Sequence, residues 1–378
     1  MQKILCRELF TGKEIINDAF VVFDSSIVDL GKGRGEGYDC ETIKADFVMP
    51  GFVDSHTHAV FAGSRERELE MKLEGKRYME ILRAGYGINR TVKDTTGADD
   101  DKILQESIAR IDRAIEHGTT TMEVKCGYGV TMDQELRLLG LIDELKQRLR
   151  DRIDIVPTFL AHIKPYDGYA EELIEEMERI KGKAEFFDVF MDAFGYEDTE
   201  KLLERAKRLG LKLKLHADEF SDCGGIALAA NAGCVSVDHL IKSSLDSFKA
   251  LGSERSPVPC LLPATSFSSF EPYAKGAEIV AMGVPAALAT DMNPNCWCEN
   301  MGFVADLACY CMRMKPIDVL KGITLNGARA LALKDRGYIA KGAIADLVIT
   351  EARNHMDFFS KFGTKKVKSV IKRGKKVF

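Results

Sequence analysis

Near its N-terminal end the chain reads Met49-Pro50-Gly51-Phe52-Val53-Asp54-Ser55-His56-Thr57-His58, an apolar run that ends in two histidines separated by one residue. Side chains alternate between the two faces of an extended strand, so residues two apart point to the same side. The imidazoles of His56 and His58 are then close enough to bind one metal ion. The run predicts a buried strand with a metal site at its carboxyl end.

The following 240 residues or so repeat one pattern: an amphipathic helix, a glycine and a short β-rich run. Leu104, Ile108, Ile111 and Ile115 lie on one helical face, and Gly118 ends that helix. Eight strands are predicted, at residues 47–56, 119–125, 155–162, 186–192, 211–217, 234–240, 259–265 and 284–291. Strands that alternate with helices favour a parallel sheet, and eight of them predict a closed (β/α)₈ TIM barrel.

The two ends of the chain have a different pattern, with short strand candidates, turns and no long helix. We predict that residues 1–45 and 338–378 pair into one small β-sandwich domain. Residues 46–337 then form the barrel domain beside it.

The composition is that of a globular protein, with 46% hydrophobic and 29% charged residues in a chain of 378. The net charge of -5 gives no reason to expect nucleic acid or a membrane as partner. Neither a membrane-spanning run nor a secretory signal is evident, so we expect a cytoplasmic protein whose ten cysteines are reduced. One residue separates the cysteines in each of two pairs, Cys296 with Cys298 and Cys309 with Cys311. This spacing is too short for ordinary structural zinc sites, so the pattern favours free thiols.

Functional side chains of such barrels lie at the carboxyl ends of the strands. Five of the seven histidines fall at these predicted ends, together with one lysine, one tyrosine and two acids: His56, His58, His162, His216, His239, Lys125, Tyr128, Glu219 and Asp291. We predict that the metal ligands are His56, His58, His216 and Asp291. Three nitrogens and one oxygen suit zinc or iron(II) better than calcium or magnesium. Lys125 has no assigned role beyond a possible ion pair.

Several motifs along the barrel resemble those of the amidohydrolase superfamily, and within it the imidazolonepropionase family. They occur in the family's order at residues 51–58, 61–65, 125–129, 161–165, 216–220, 236–240, 262–265 and 289–294. The histidine pair and Asp291 are general features of amidohydrolases. Gly127-Tyr128-Gly129 and Asn293-Pro294 are more selective for this family.

The resemblance implies one divalent transition metal, zinc or iron(II), held by the four ligands above. Predicted strand four, residues 186–192, contains no lysine, whereas binuclear relatives often use a carboxylated lysine there. The resemblance further implies substrate contacts from Arg65, Tyr78, Tyr128, His162, Glu219 and Asn293. Asp54 and Asp218 are expected to hold neighbouring groups rather than metal.

The implied reaction is hydrolysis of the cyclic amide of 4-imidazolone-5-propanoate to N-formimino-L-glutamate in histidine degradation, by a metal-activated water. Arg65 is expected to bind the carboxylate tail of this small-molecule substrate. The catalytic residues are then Glu219, which relays a proton, His239, which donates to the oxyanion, and Asp291, which accepts a proton. A homodimer is implied as well.

Two alternatives remain open at this point. His216-x-x-Glu219 also resembles the signature of cyclic amidine and nucleobase deaminases of the same superfamily, although Arg65 and Tyr128 favour an anionic substrate. A non-catalytic barrel would typically lack metal ligands, and none is missing here.

The chain departs from the family pattern at two places. Asn295-Cys296-Trp297-Cys298 follows Asn293-Pro294, where many members have glycine and small hydroxyl residues. Met191-Asp192 ends predicted strand four, where a smaller residue and a glutamate are expected.

Overall fold

The computed structural model describes residues 1–76, 78–253 and 255–378, without the side chains at 78 and 79. The strands in chain order are β1 (Gln2–Phe10), β2 (Ile15–Phe23), β3 (Ile27–Lys32), β4 (Glu41–Pro50), β5 (Phe52–Asp54), β6 (Thr119–Lys125), β7 (Asp154–Ala161), β8 (Phe186–Phe190), β9 (Lys212–Ala217), β10 (Ser236–His239), β11 (Val258–Leu261), β12 (Ala287–Leu288), β13 (Leu347–Thr350), β14 (Val367–Lys372) and β15 (Lys375–Lys376).

The helices lie mainly between the barrel strands and turn their apolar faces toward them. In chain order they are α1 (Glu68–Leu73), α2 (Tyr78–Arg83), α3 (Ile88–Thr96), α4 (Asp100–Glu116), α5 (Met132–Leu149), α6 (Tyr169–Glu176), α7 (Met191–Arg208), α8 (Gly225–Ala232), α9 (Pro263–Ser269), α10 (Gly276–Ala281), α11 (Met301–Tyr310), α12 (Pro316–Lys321), α13 (Gly327–Ala330) and α14 (His355–Ser360). In the described part of the chain, none of these helices has the length and hydropathy needed to cross a membrane.

Strands β5 to β12 form one parallel sheet in which each strand neighbours the next in sequence. The first and last strands meet through a bridge between Thr57 and Met292. There the amide of His58 donates to the carbonyl of Met292 at 2.8 Å, and the amide of Asp291 donates to the carbonyl of His56 at 3.0 Å. These bonds close the sheet into the predicted (β/α)₈ barrel.

Both chain ends form the second sheet, as predicted, in the order β15-β14-β13-β4-β1-β2-β3. The turn before β3 folds back onto the C-terminal segment, since Ser26 bridges Ile344 and the amide of Ile27 donates to Ala343 at 2.8 Å. The sheet thereby encloses an apolar core of its own, which includes Ile4, Val21 and Leu347. The domain boundaries at residues 45 and 338 stay predictions; strand β4 continues to Pro50.

The predicted first barrel strand, residues 47–56, was wrong in its extent. Its first part belongs to β4 in the terminal sheet, and the barrel strand is β5 alone. Gly51 lies at the corner between the two sheets, where an added Cβ would lie 2.3 Å from Oγ1 of Thr120. A single apolar run continues from one sheet into the other, and its hydrophobicity does not show where its pairing partners change.

Three other predicted strands also end differently. Pro263 begins helix α9, because a proline at the first helical position loses no hydrogen bond. Met191 and Asp192 begin helix α7, and the last barrel strand is only Ala287–Leu288.

Buried charges join the sandwich to the bottom of the barrel. The ammonium group of Lys372, in β14, donates to Asp346 at 2.6 Å, to Asp154 at 2.7 Å and to the carbonyl of Thr120 at 2.9 Å. Lys372 is fully buried. An ion in this position is stabilised only by its partners, since it has lost its hydration.

Replacing Lys372 with methionine should destabilise the chain by about 3–5 kcal/mol, because it leaves the buried carboxylate of Asp346 without its cation. The midpoint of urea denaturation measures the change. Lys368→Met is the matched control, since Lys368 lies on the same strand and is exposed. Equal midpoints for the two variants would contradict the assignment.

Candidate metal and substrate site

The four predicted metal ligands come together at the carboxyl ends of the barrel strands. His56 and His58 follow β5, His216 lies near the end of β9, and Asp291 follows β12. His56, His58 and His216 each offer a nitrogen, and these nitrogens lie within 4.8 Å of one another. Oδ1 of Asp291 lies 3.2 Å from Nε2 of His58 and 3.5 Å from Nε2 of His56. The sequence prediction thus selected four side chains that converge on one point.

These atoms fit a bound cation. Among the described residues, Nε2 of His56, Nε2 of His216 and Oδ1 of Asp291 are buried without a hydrogen-bond partner. Buried polar atoms are normally satisfied, so three such atoms that converge on one point fit the ligand set of a metal ion. Burial lowers the pKa of His216 to about 3 and that of His56 well below its ordinary value. Both shifts favour the neutral imidazole, which is the state that binds metals.

Carboxylates behind the site orient two of the imidazoles. Nδ1 of His56 lies 2.6 Å from Oδ2 of Asp238, and Nδ1 of His216 lies 3.0 Å from Oδ2 of Asp188. An acceptor on one ring nitrogen leaves the other nitrogen free to bind a metal, and it raises the basicity of the ring. Asp188 and Asp238 were not predicted. Their position inside the barrel, two residues before the end of β8 and one before the end of β10, is the only signal for them in the sequence.

Two lysines hold these carboxylates in place. Lys125 contacts Asp188 at 2.6 Å and Glu123 at 2.7 Å. Lys214 contacts Glu123 at 3.1 Å and Asp238 at 3.4 Å. All five side chains are completely buried. This confirms the ion-pair interpretation of Lys125, and we call the five residues the barrel ion network.

A second group of potential metal ligands consists of His56 and two carboxylates of the barrel ion network, Glu123 and Asp238. The ammonium group of Lys214 contacts both carboxylates of this group. It also donates to the carbonyl of Ser55 at 2.7 Å. This position therefore already holds a cation.

The backbone is strained at three residues of the site. Asp218, His239 and Asp291 have φ values of 54°, 77° and 50°, in the left-handed region that costs such residues about 1–3 kcal/mol each. Side-chain hydrogen bonds stabilise the conformations of Asp218 and Asp291. Asp218 accepts from the amides of Cys223 and Gly225 at 2.9 and 3.2 Å.

The carboxylates of Asp54 and Asp218 have hydrogen-bond partners in neighbouring segments, as expected. Asp54 accepts from the amide and hydroxyl of Thr290, at 3.0 and 2.7 Å. Asp218 also accepts from the hydroxyl of Ser243 at 2.5 Å. Both therefore hold neighbouring segments and do not face the metal position.

A cavity of about 260 Å³ opens above the metal ligands. Its walls contain most of the predicted substrate contacts, together with residues of the metal position: His58, Arg65, Tyr128, His162, His216, Glu219, His239, Asp291 and Asn293. The rings of Tyr128 and His162 lie 6.0 and 5.5 Å from that of His58. The side chain of Tyr78 lies outside the described part of the chain.

Glu219 and His239 face each other across the cavity, with Oε1 3.8 Å from Nδ1. Burial, followed by the negative charges of Asp291 and Asp192, raises the pKa of Glu219 well above its ordinary value. Asp192 also fixes the backbone of this segment, since its carboxylate accepts from the amides of Glu219 and Phe220 at 3.2 and 3.3 Å. The departure from the family at Asp192 therefore lies beside a predicted catalytic residue.

Arg65 has a partner that the sequence analysis did not predict. Its Nε and Nη2 donate to the two carboxylate oxygens of Glu68 at 2.8 and 2.7 Å. Glu68 also accepts from the amide of Gly87 at 2.8 Å, so the ion pair is fixed from both sides. The spacing Arg65-x-x-Glu68 is the signal that could have found it. The side chain of Arg65 is buried in the cavity wall.

The loop after β12 is held by Asn293. Its Oδ1 accepts from the amides of Asn295 and Cys296 at 2.8 and 3.0 Å, and its Nδ2 donates to the carbonyl of Asp291 at 2.7 Å. Cys296 and Cys298 are free and buried, and in the described chain no group of three possible ligands contains a cysteine.

Glu135 organises the loop that carries Tyr128. The carboxylate is buried and accepts from the amides of Gly127 and Gly129 at 2.7 Å, and from that of Val130 at 2.9 Å. Three backbone donors on one carboxylate fix the loop, which places the ring of Tyr128 in the cavity wall.

The barrel and its histidine-aspartate site are those of a metal-dependent hydrolase, and the comparisons define the class. The sequence pattern described as the amidohydrolase family matches residues 47–377. The chain belongs to the amidohydrolase family.

Within this family the chain is similar to proteins named imidazolonepropionase. It is 40% identical to the one from Caldanaerobacter subterraneus, with 98% of this chain and 92% of that protein covered. It is 35% identical to the one from Fusobacterium nucleatum, with 100% and 97% covered.

Solved structures share the fold at lower identity. The 5-methylcytosine deaminase from Klebsiella pneumoniae superimposes with a TM-score of 0.81 at 19% identity, covering 100% of this chain and 98% of that one. The aminofutalosine deaminase from Helicobacter pylori gives a TM-score of 0.74 at 15% identity, with both chains fully covered. Likeness at this identity concerns the fold alone.

We expect about one transition-metal ion per purified chain, and loss of that ion in His56→Ala and in His58→Ala. Elemental analysis by mass spectrometry measures the content. His117→Ala is the control, because His117 caps helix α4 away from the site. Two ions at full occupancy, or metal retained in both site variants, would contradict the assignment.

Proposed function

We propose that this chain hydrolyses the ring amide of 4-imidazolone-5-propanoate to N-formimino-L-glutamate, a step of histidine degradation. The observation that carries the proposal is the 35–40% identity to imidazolonepropionases over nearly the whole chain. The cavity supports it, since it joins a metal-binding end to a wall with Arg65, which suits an anionic tail.

The proposed cofactor is a single zinc or iron(II) ion held by His56, His58, His216 and Asp291. Charge supports one divalent ion. Asp291 and the three carboxylates of the barrel ion network carry four negative charges when ionised, and the two lysines offset two of them. One divalent cation balances the remaining two charges of this group.

The bound metal would supply Lewis acidity, which lowers the pKa of water and polarises the ring carbonyl. Asp291 accepts a proton from the attacking water. The water oxygen joins the carbonyl carbon, and the bond from that carbon to the ring nitrogen breaks. His239 donates a hydrogen bond to the oxyanion that forms in between.

Glu219 delivers the proton to the departing nitrogen. Its raised pKa supports this role, because a carboxyl group that holds its proton more tightly than usual favours the acid form that a proton donor needs. Arg65 binds the propanoate tail through the guanidinium N–H groups that are not bonded to Glu68. Tyr128, His162, Asn293 and Tyr78 are proposed to complete the substrate contacts.

The proposed setting is the cytoplasm, which the ten free cysteines support because thiols stay reduced there. A homodimer stays a prediction from the resemblance, and the absence of a nucleic-acid or membrane partner stays a prediction from the net charge of the chain.

The purified chain should consume 4-imidazolone-5-propanoate, followed by loss of its ultraviolet absorbance, and release N-formimino-L-glutamate. The rival activity is tested in parallel by ammonia release from cytosine. Ammonia release without turnover of the imidazolone would replace the proposal with a deaminase.

Glu219→Gln should lower kcat by roughly 10²–10⁴-fold, the usual effect of losing general acid-base catalysis, and leave the metal content unchanged. Glu271→Gln is the control, since Glu271 lines the same cavity but pairs with Lys242 at 3.0 Å. Metal loss in Glu219→Gln would make Glu219 a ligand. A lower melting temperature with normal turnover would make it structural.

A further inference from the structure

Lys72, in the last turn of α1, lines the substrate cavity and has no role in the proposed reaction so far. Its ammonium group donates to Oδ1 of Asn295 at 2.7 Å and to the carbonyl of Ser268 at 3.2 Å. An ammonium group has three hydrogens, and two suffice for these bonds. One hydrogen is therefore available to a ligand in the cavity.

The positively charged side chains near Arg65 in the cavity wall differ in how far a neighbouring carboxylate neutralises them. Arg65 is paired through two hydrogen bonds with Glu68, so the pair carries no net charge. Lys76 also lines the cavity, but it is exposed and pairs with Glu74 at 3.0 Å. Within the described residues, the recorded partners of Lys72 are two neutral oxygens.

Among the described residues of this wall, Lys72 is thus the cation whose charge its own contacts leave uncompensated. Burial, and next the positive charge of Arg65, lower its pKa from the ordinary value. A half-buried ammonium group with neutral partners gains more from an incoming carboxylate than a solvated or paired one does, because the interaction is less screened.

We propose that Lys72 determines specificity for the carboxylate tail of the substrate, by adding the net positive charge that the Arg65–Glu68 pair lacks. This inference rests on the proposed function. Arg65 orients the carboxylate through its planar guanidinium, and Lys72 attracts it as a point charge. Asn295, one of the departures from the family pattern, holds the ammonium group in the cavity wall.

The test measures the affinity of two non-hydrolysable probes by calorimetry: 3-(imidazol-4-yl)propanoate and the corresponding propanamide. They share the ring, so ring and metal contacts cancel in the ratio of their dissociation constants. Wild type should bind the acid more tightly than the amide. Lys72→Met should weaken acid binding roughly 10-fold or more and leave amide binding within about 2-fold, as expected for loss of a charge-assisted hydrogen bond.

Two control variants keep the test specific. Lys76→Met, which removes an exposed lysine of the same cavity, should leave the ratio unchanged. Lys72→Arg should restore a large part of the preference for the acid, since it keeps the charge. In turnover of 4-imidazolone-5-propanoate, Lys72→Met should raise KM much more than it lowers kcat.

The outcomes separate this inference from the proposed function. Equal binding of acid and amide by wild type, together with no turnover of the imidazolone, would overturn the proposed function itself. A wild-type preference for the acid that Lys72→Met retains would overturn only the role of Lys72. Equal weakening of both probes in Lys72→Met would also overturn it, because Lys72 would then be a structural link between α1 and the loop of Asn295.

Discussion

The active end of the barrel depends on the barrel ion network, in which two lysines lie between three carboxylates in the barrel interior. Most barrels fill this space with branched apolar side chains. Removing five charges from water costs several kcal/mol per ion, so the network is stable only when every charge is paired. Its carboxylates Asp188 and Asp238 contact the imidazoles of His216 and His56. The barrel ion network therefore fixes the orientation of His216 and His56, and through these two imidazoles it determines the metal position.

The same residues also close the fold. The first and last barrel strands join through His56, Thr57 and His58 on one side and Asp291 and Met292 on the other. The left-handed backbone of Asp291 is held by the bond from its amide to His56 and by the bond of its carboxylate to Thr265 at 2.5 Å. A substitution at the metal position thus directly affects the contact between the first and last barrel strands. The stability of that contact in turn maintains the strained backbone of Asp291.

The sequence predicted what periodicity and spacing determine: the barrel, the second sheet and the convergence of strand ends that brings His56, His58, His216 and Asp291 together. The sequence prediction was wrong where contacts with other parts of the chain determine the structure. The run at 47–56 is shared between two sheets, and hydrophobicity is the same in both. The hydrogen bond from the amide of Glu219 to the carboxylate of Asp192 joins segments 27 residues apart. Such contacts follow from three-dimensional packing, which local patterns do not encode.

The cavity wall contains both acidic and basic side chains, and their charges bear on the choice of substrate. Asp291 and Glu219 lie at the metal end, whereas Arg65 and Lys72 lie in the wall that α1 and its preceding loop provide. A substrate with a reactive amide at one end and a carboxylate at the other complements both. A neutral nucleobase would occupy the metal end and leave the half-buried ammonium group of Lys72 without an anion. Discrimination against it then arises from the unpaired cation as much as from lost contacts.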